Sequence, residues 1–179
     1  MANILLACGA SAALHKGCDL ASKLAQAGHT VRAVLTPRAA QLVSPQLFEA
    51  MTGEPAFVDE FAPTRRGAMD HITLSQWAGV FLVAPASADL IARLSLGLAG
   101  DLVGTVALAI PAGVPRLLCP AMNPNMLSAA TTQRNLKSMR DDGWQILEPD
   151  SGYMACGDEG QGRLPEPAQI LSALGEILG

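Results

Sequence analysis

Asn3-Ile-Leu-Leu-Ala-Cys-Gly-Ala-Ser11 is an unbroken apolar run that stops at a glycine and a serine. A strand with one wet face alternates apolar and polar residues, whereas one covered on both faces reads as this does. The run therefore predicts a central strand of a parallel sheet. Leu14, Cys18, Ala21, Leu24 and Ala25 then recur at near-helical spacing to about Ala27, and Gly28 is placed to end that helix. Val31 to Leu35 is a second strand, with Thr36-Pro37 turning the chain at its carboxyl end. Strand, helix and strand in this order imply a right-handed crossover in an α/β sheet.

Working outward, Gly79-Val-Phe-Leu-Val-Ala84 and Val114-Pro-Arg-Leu-Leu118 read as buried strands, and Trp144 to Leu147 as a fifth. Helices are expected over Leu74 to Ala78, after Asp89 to about Leu98, and over Leu102 to Ala109, Ser128 to Asp142 and Pro167 to Leu178. Gly53 to Met69 contains Pro55, Pro63 and Gly67 and reads mostly as loop, long enough to suggest a function. The expected fold is α/β, one domain over residues 1–179. It is a three-layer sandwich whose mostly parallel, doubly wound, flavodoxin- or Rossmann-like sheet carries helices on both faces.

Composition narrows the function. Half of the 179 residues are hydrophobic, only 16% are charged and the mean hydropathy is +0.28. So little polar side chain cannot cover an isolated sphere, which points to apolar surface shared between subunits. A net charge of −4 with no basic stripe argues against nucleic acid, and Arg65-Arg66 reads as a solvated loop pair. No uninterrupted apolar run approaches the ~20 residues that span a bilayer, and Met1-Ala-Asn3 leads into a strand with no signal-peptide pattern. Cys8, Cys18, Cys119 and Cys156 are widely spaced, without a CxxC pair or a Cys/His cluster. That usage suits a reducing compartment and no metal. The expectation is a cytoplasmic protein acting on a small molecule, with no membrane partner.

Chemistry-bearing residues gather at the predicted strand ends, where open parallel sheets bind ligands. Gly9-Ala-Ser11 and Pro85-Ala-Ser-Ala88 each place small residues and a hydroxyl at a helix start, suited to one phosphate. It lacks the full GxGxxG fingerprint, so an ordinary dinucleotide site is disfavoured. A plain helix cap is the other reading of Ser11. Cys119-Pro-Ala-Met-Asn-Pro-Asn-Met126 ends a strand abruptly with two prolines and two asparagines. Asn123 there either caps the next helix or meets a ligand. His15 and His29 read as surface residues. His71 closes the long loop, and its near-neutral titration suits either proton transfer or a structural role. Gly152, Gly157, Gly160 and Gly162 surround Cys156 in a stretch that reads as a lid.

Taken together, these segments resemble the flavin-dependent cysteine decarboxylases. The resemblance rests on Asp70-His-Ile72, Pro85-Ala-Ser-Ala88, Gly97 to Asp101, Pro120-Ala-Met-Asn-Pro-Asn-Met126 and Ala155-Cys-Gly-x-x-Gly-x-Gly-Arg163, and runs from Ile4 to about Pro167. It implies FMN at the strand ends, held by Gly9, Ser11, Thr36, Ser87, Ala88, Asp89 and Leu90. It implies His71 as a catalytic acid/base, Cys156 as a catalytic proton donor, and Asn123, Met126, Ala155 and Arg163 against the substrate. Within the family the match is to the branch that converts 4′-phosphopantothenoyl-L-cysteine to 4′-phosphopantetheine in coenzyme A biosynthesis, through a thioaldehyde and an ene-thiolate. In that branch the loop cysteine assists the final re-reduction. The resemblance also implies homotrimers or homododecamers, and a phosphopantothenate–cysteine ligase that is a separate chain or a fused one.

Peptidyl-cysteine decarboxylases and flavin prenyltransferases share the fold, and a non-catalytic flavin-binding regulatory subunit is the reading from another class. The Cys156 loop argues against the first two, and His71, Asn123 and Cys156 together argue against the third. Several positions depart from the family pattern: Ser128-Ala-Ala130 lacks a proline common there, and Ser87-Ala-Asp-Leu90 replaces the usual Ser-Ala-Asn-Thr. Leu127 stands where tryptophan is usual, and Asp89, where asparagine is usual, would bring a carboxylate near an anionic cofactor.

Overall fold

The computed structural model describes residues 1–62, 69–154 and 157–179. Residues 63–68, which include Arg65 and Arg66, lie outside the described residues, as do Ala155 and Cys156.

A six-stranded parallel sheet, ordered β3-β2-β1-β4-β5-β6, forms the middle layer. Its strands are β1 (Asn3–Cys8), β2 (Thr30–Leu35), β3 (Ala56–Phe57), β4 (Val80–Ala86), β5 (Arg116–Pro120) and β6 (Gln145–Ile146). Side chains alternate between faces as the pleat requires. Ile4, Leu6 and Cys8 of β1 and Val80, Leu82 and Ala84 of β4 pack on one side. There they meet α1 (Leu14–Gln26), α2 (Pro37–Leu42), α3 (Pro45–Thr52) and α9 (Pro167–Leu178). Leu5, Ala7, Phe81 and Val83 face the other side. That side is covered by α4 (Asp70–Trp77), α5 (Ala88–Ser95), α6 (Leu102–Ala109), α7 (Pro124–Ser128) and α8 (Ala130–Asp141). Every residue of β4 is buried, which is why its sequence is apolar without alternation. The doubly wound α/β expectation holds, with the strand order of a dinucleotide-binding sheet.

Four local expectations are corrected. The stretch read as loop contributes β3, a two-residue edge strand paired with Ala33 and Val34 of β2. The helix that holds His71 starts at Asp70, not Leu74. Instead of one helix from Ser128 there are two: Asn123 caps α7 with Pro124 at its first position, and Ala129, extended at φ −56° and ψ 133°, breaks the chain before α8. The glycine-rich stretch is not featureless. It forms an antiparallel hairpin of β7 (Asp150–Tyr153) and β8 (Glu159–Arg163).

Strand order reverses between β1 and β4, so the crossovers leave in opposite directions and a crevice opens at their carboxyl ends. Gly9, just past β1, donates its N–H to Pro85 O at 2.9 Å. A Cβ there would lie 3.0 Å from Pro85 O, 3.1 Å from Leu90 Cδ2 and 3.2 Å from Ser87 N. Only glycine lets the two turns close on each other. Gly9→Ala is expected to cost about 1–3 kcal/mol by overpacking, seen as a thermal midpoint lower by about 2–4 °C per kcal/mol. An unchanged midpoint would show that the turns can separate freely.

Candidate active site at the sheet switch point

Three strand ends are tied together at the crevice. Ser11 Oγ donates to Ala121 O, past β5, at 3.2 Å and accepts from Ala13 N at 3.2 Å. Ala121 N in turn donates to Ala86 O at 2.9 Å. Ser11 is not the cap of α1, which begins at Leu14 with Ala13 in the cap position. Ser87, by contrast, caps α5 and accepts from Leu90 N at 3.3 Å. Thr36, buried at the end of β2, caps α2 through Ala39 N at 3.1 Å.

Asn123 caps α7: its Oδ1 accepts from Asn125 N at 2.8 Å, while Nδ2 donates to the Asp158 carboxylate. With the oxygen committed to the helix, the side chain offers N–H donors beyond its own backbone. The hairpin lies directly on this segment. Met122 N donates to Gly162 O at 3.0 Å, and a Cβ at Gly162, φ +147°, would sit 2.1 Å from Met122 O.

The cavity at this point has a volume of about 450 Å³, within the ~300–1,000 Å³ usual for small-molecule sites. Of the residues expected from sequence, Ser11, Ser87, Ala88, Asn123, Met126 and Arg163 line it. Gly9, Thr36, Asp89, Leu90 and His71 do not. Leu90 is fully buried beneath Gly9. Asp89 turns to Arg93, whose Nε lies 3.1 Å from Oδ2, so its carboxylate is drawn along the helix surface. Leu127 is buried in the core under α8. Ala155 and Cys156 lie outside the described residues.

Sequence reading missed Lys16, Tyr153 and Met154, which also line the cavity, as does the exposed His15. Lys16 sits on a helix face that reads as ordinary surface, and nothing local marks its fold-back. Its Nζ reaches Glu166 Oε1 at 2.7 Å and Leu164 O at 3.4 Å, and Arg163 meets the same carboxylate oxygen at 3.4 Å. Among the described residues no aspartate or glutamate lines the cavity itself, and the nearest carboxylates are paired, Asp158 with Asn123 and Glu166 with Lys16 and Arg163. Cys8 and Cys119, fully buried, have their thiols pushed well up by desolvation and remain protonated.

His71 stands apart in the first turn of α4, half-buried, with Nδ1 2.5 Å from Glu60 Oε2. Glu60 was also missed. It lies eleven residues upstream in what read as loop, where no spacing rule connects it to a helix start.

A switch-point cavity lined by two hydroxyls, small residues and cations, on a doubly wound sheet, defines a mononucleotide-type binding protein. The chain belongs to the Flavoprotein family, which it matches over residues 1–179. It is 42% identical to the coenzyme A biosynthesis bifunctional protein CoaBC of Haemophilus influenzae, over 92% of this chain and 41% of that protein. The Bacillus subtilis protein of the same name is 38% identical over 94% and 41%. The chain thus spans about two fifths of the length of these curated relatives.

Among solved structures, a PPC decarboxylase mutant complexed with pantothenoylaminoethenethiol superposes with a TM-score of 0.85 at 26% identity, covering 99% of this chain and 98% of that one. The FMN-dependent cysteine decarboxylase SpaF gives 0.81 at 27%, covering 100% and 98%. The FMN binding protein AtHal3 gives 0.83 at 27%, covering 98% and 96%. No helix among the described residues is long and apolar enough to cross a membrane.

The Lys16–Glu166 pair makes a prediction about pH. The hydrogen bond from Lys16, first among its causes, holds the Glu166 carboxyl below its ordinary value of 4.5. A depressed carboxyl contributes stability above its unfolded value and loses it as pH falls through the folded one. Wild type is expected to out-melt Glu166→Gln slightly near pH 6, the gap closing below pH 4.5. A gap that persists at pH 3 would disprove the linkage.

Proposed function

We propose that residues 1–179 act as one FMN-binding unit that decarboxylates 4′-phosphopantothenoyl-L-cysteine to 4′-phosphopantetheine, a carboxy-lyase step of coenzyme A biosynthesis in the cytoplasm. The observation that carries this reading is the cavity joining Ser11, Ser87, Asn123, Met126 and Arg163 at the switch point. The similarity to CoaBC proteins and to PPC decarboxylase supports the substrate.

The residues fit a flavin mononucleotide. The Ser87 hydroxyl and the N–H groups at the start of α5 form an anion-binding donor set, while Ser11, whose hydroxyl donates to Ala121 O, holds the facing turn in place. Ala10, Ala12, Ala88 and Ala121 leave room for a planar ring. Gly9, Thr36 and Leu90 lie behind these contacts and support the backbone that makes them, while Asp89 contributes through its backbone at the start of α5, its side chain being held on the surface by Arg93. When bound, the flavin supplies a reversible two-electron oxidation of the cysteine CH₂–SH group, the electron sink that decarboxylation otherwise lacks.

The chain's own residues do the rest. Asn123 donates an N–H to the substrate carboxylate. As a neutral amide it binds that group without the ion pair that would favour the ground state over a transition state in which the charge departs. Met126, beside it at the cavity edge, and Ala155 pack against the substrate. Arg163 and Lys16 supply positive charge at one end of the cavity for the substrate phosphate. His71 accepts a proton from the cysteine moiety as it is oxidised. Cys156 donates the proton that lets the ene-thiolate accept electrons back, which separates this reaction from one that stops at an oxidised product.

His71 does not line the cavity of its own chain. That supports a homotrimer, or a homododecamer built from trimers, in which His71 serves a neighbour's cavity. Leu96, Leu98 and Leu108, all more than half exposed, are further apolar surface that an assembly would cover. The remaining length of the bifunctional relatives suggests a phosphopantothenate–cysteine ligase as the companion activity, fused or separate.

The test is direct. Purified protein is expected to be yellow with flavin absorbance and to convert the substrate to 4′-phosphopantetheine, identified by mass spectrometry. Yellow protein without release of CO₂ would favour a flavin-binding regulatory role. Asn123→Asp, which sets a negative charge against the substrate carboxylate, is expected to lower kcat/KM by roughly 10²-fold or more. Cys156→Ser is expected to release CO₂ yet accumulate the oxidised ene-thiol, and full conversion by this variant would refute its role.

A further inference from the structure

Among the described residues, His71 and Glu60 form a close acid–imidazole contact, and neither lines the Asn123 cavity. A neutral imidazole has one N–H, and the bond made by one ring nitrogen decides which one carries it. Here Nδ1 lies 2.5 Å from Glu60 Oε2. A carboxylate only accepts, so Nδ1 must be the protonated nitrogen and Nε2 keeps its lone pair. The His71 and Glu60 side chains retain 24% and 15% of their exposure, so the contact is largely shielded from water. The helix contributes too. His71 is the second residue of α4, anchored by burial of its neighbour Asp70.

We propose that Glu60 is a positioning residue: it holds His71 with Nδ1 protonated and Nε2 presented as the proton acceptor. The inference rests on the acid/base role given to His71 above and adds the group that sets its tautomer and orientation. The same logic operates in hydrolase triads, where an acid holds the histidine without itself transferring the proton. Replacing the acid by its amide leaves a partner that can donate as well as accept, and the imidazole is free to take the unproductive tautomer.

The experiment uses holoprotein labelled with ¹⁵N-histidine. The chain has three histidines, so the His71 signals are assigned by their loss in His71→Gln, and long-range ¹H–¹⁵N spectra read the tautomer directly. Wild type is expected to show Nδ1–H at His71, and Glu60→Gln a mixed or Nε2–H form. In turnover, Glu60→Gln is expected to lower kcat by roughly 10²-fold, the scale of one positioned proton transfer, with KM within about twofold. Glu60→Asp, which keeps the charge, is expected to recover kcat relative to Glu60→Gln. A wild-type His71 protonated at Nε2, or an unchanged kcat in Glu60→Gln, would overturn the proposal. The two readings fail separately. Full turnover by His71→Gln removes the acid/base role, whereas an Nε2-protonated His71 in an enzyme that needs it removes the assignment to Glu60.

Discussion

The contact on which the site depends is the approach of Gly9 to Pro85, N–H to carbonyl at 2.9 Å. A parallel sheet cannot be wound in both directions without a point where neighbouring crossovers part. Backbone polar groups exposed by that parting need partners. Here the two turns satisfy each other, and Ser11 and Ala121 extend the link to the end of β5. The crevice above is therefore fixed by main-chain geometry, with side chains free to be chosen for chemistry. Its small residues follow from the same cause. Leu90 fills the space below Gly9 completely, so bulk at position 9 has nowhere to go.

Charge is sorted around this frame. In an acidic chain, the cavity wall carries Lys16 and Arg163, and the carboxylates that meet it, Asp158 and Glu166, are each held by a donor of the wall. A single misplaced acid about 4 Å from a bound anion would cost about 1–4 kcal/mol, depending on exposure. Asp89 is the residue best placed to do so, being in the first turn of α5. Arg93, one turn later, holds it on the helix surface and also bonds Asp101, the cap of α6. The departure at position 89 is thus absorbed by a surface pair, where it also complements the helix dipole.

How much of this was legible depends on the range over which each signal acts. β1, β4 and β5 are buried on both faces, and burial of that kind writes itself as apolar runs. The fold followed from them. β3 has two residues, too few to show a period, and β7 and β8 are glycine-rich strands with no alternating face. The hairpin forms because glycines 152, 160 and 162, with φ of +149°, +156° and +147°, adopt extended backbone closed to other residues. The motif residues Ser11, Ser87, Asn123 and Arg163 were readable because each ends a strand or stands in a distinctive local string. Lys16 and Glu60 were not. Each acts on a partner from a distant part of the chain or an irregular segment, and pairings of that kind exist only in three dimensions.

Asn123 shows why a structural and a functional reading of one residue need not compete. A cap uses a side-chain oxygen, because the orphan groups at a helix start are N–H donors. Asn123 Oδ1 is spent in this way on Asn125 N at 2.8 Å. Capping therefore fixes which end of the amide faces away from the helix, and that end is the donor end. Donation from Nδ2 to Asp158 shows that this end accommodates a carboxylate. Aspartate, serine or threonine would cap α7 as well, but none would leave an NH₂ group pointing onward. The proline at the next position and the Met122–Gly162 bond hold the backbone beneath it. A residue that had only to cap would be interchangeable among four types; one that caps with oxygen and also donates from nitrogen to a carboxylate, as Asn123 does to Asp158, has to be asparagine.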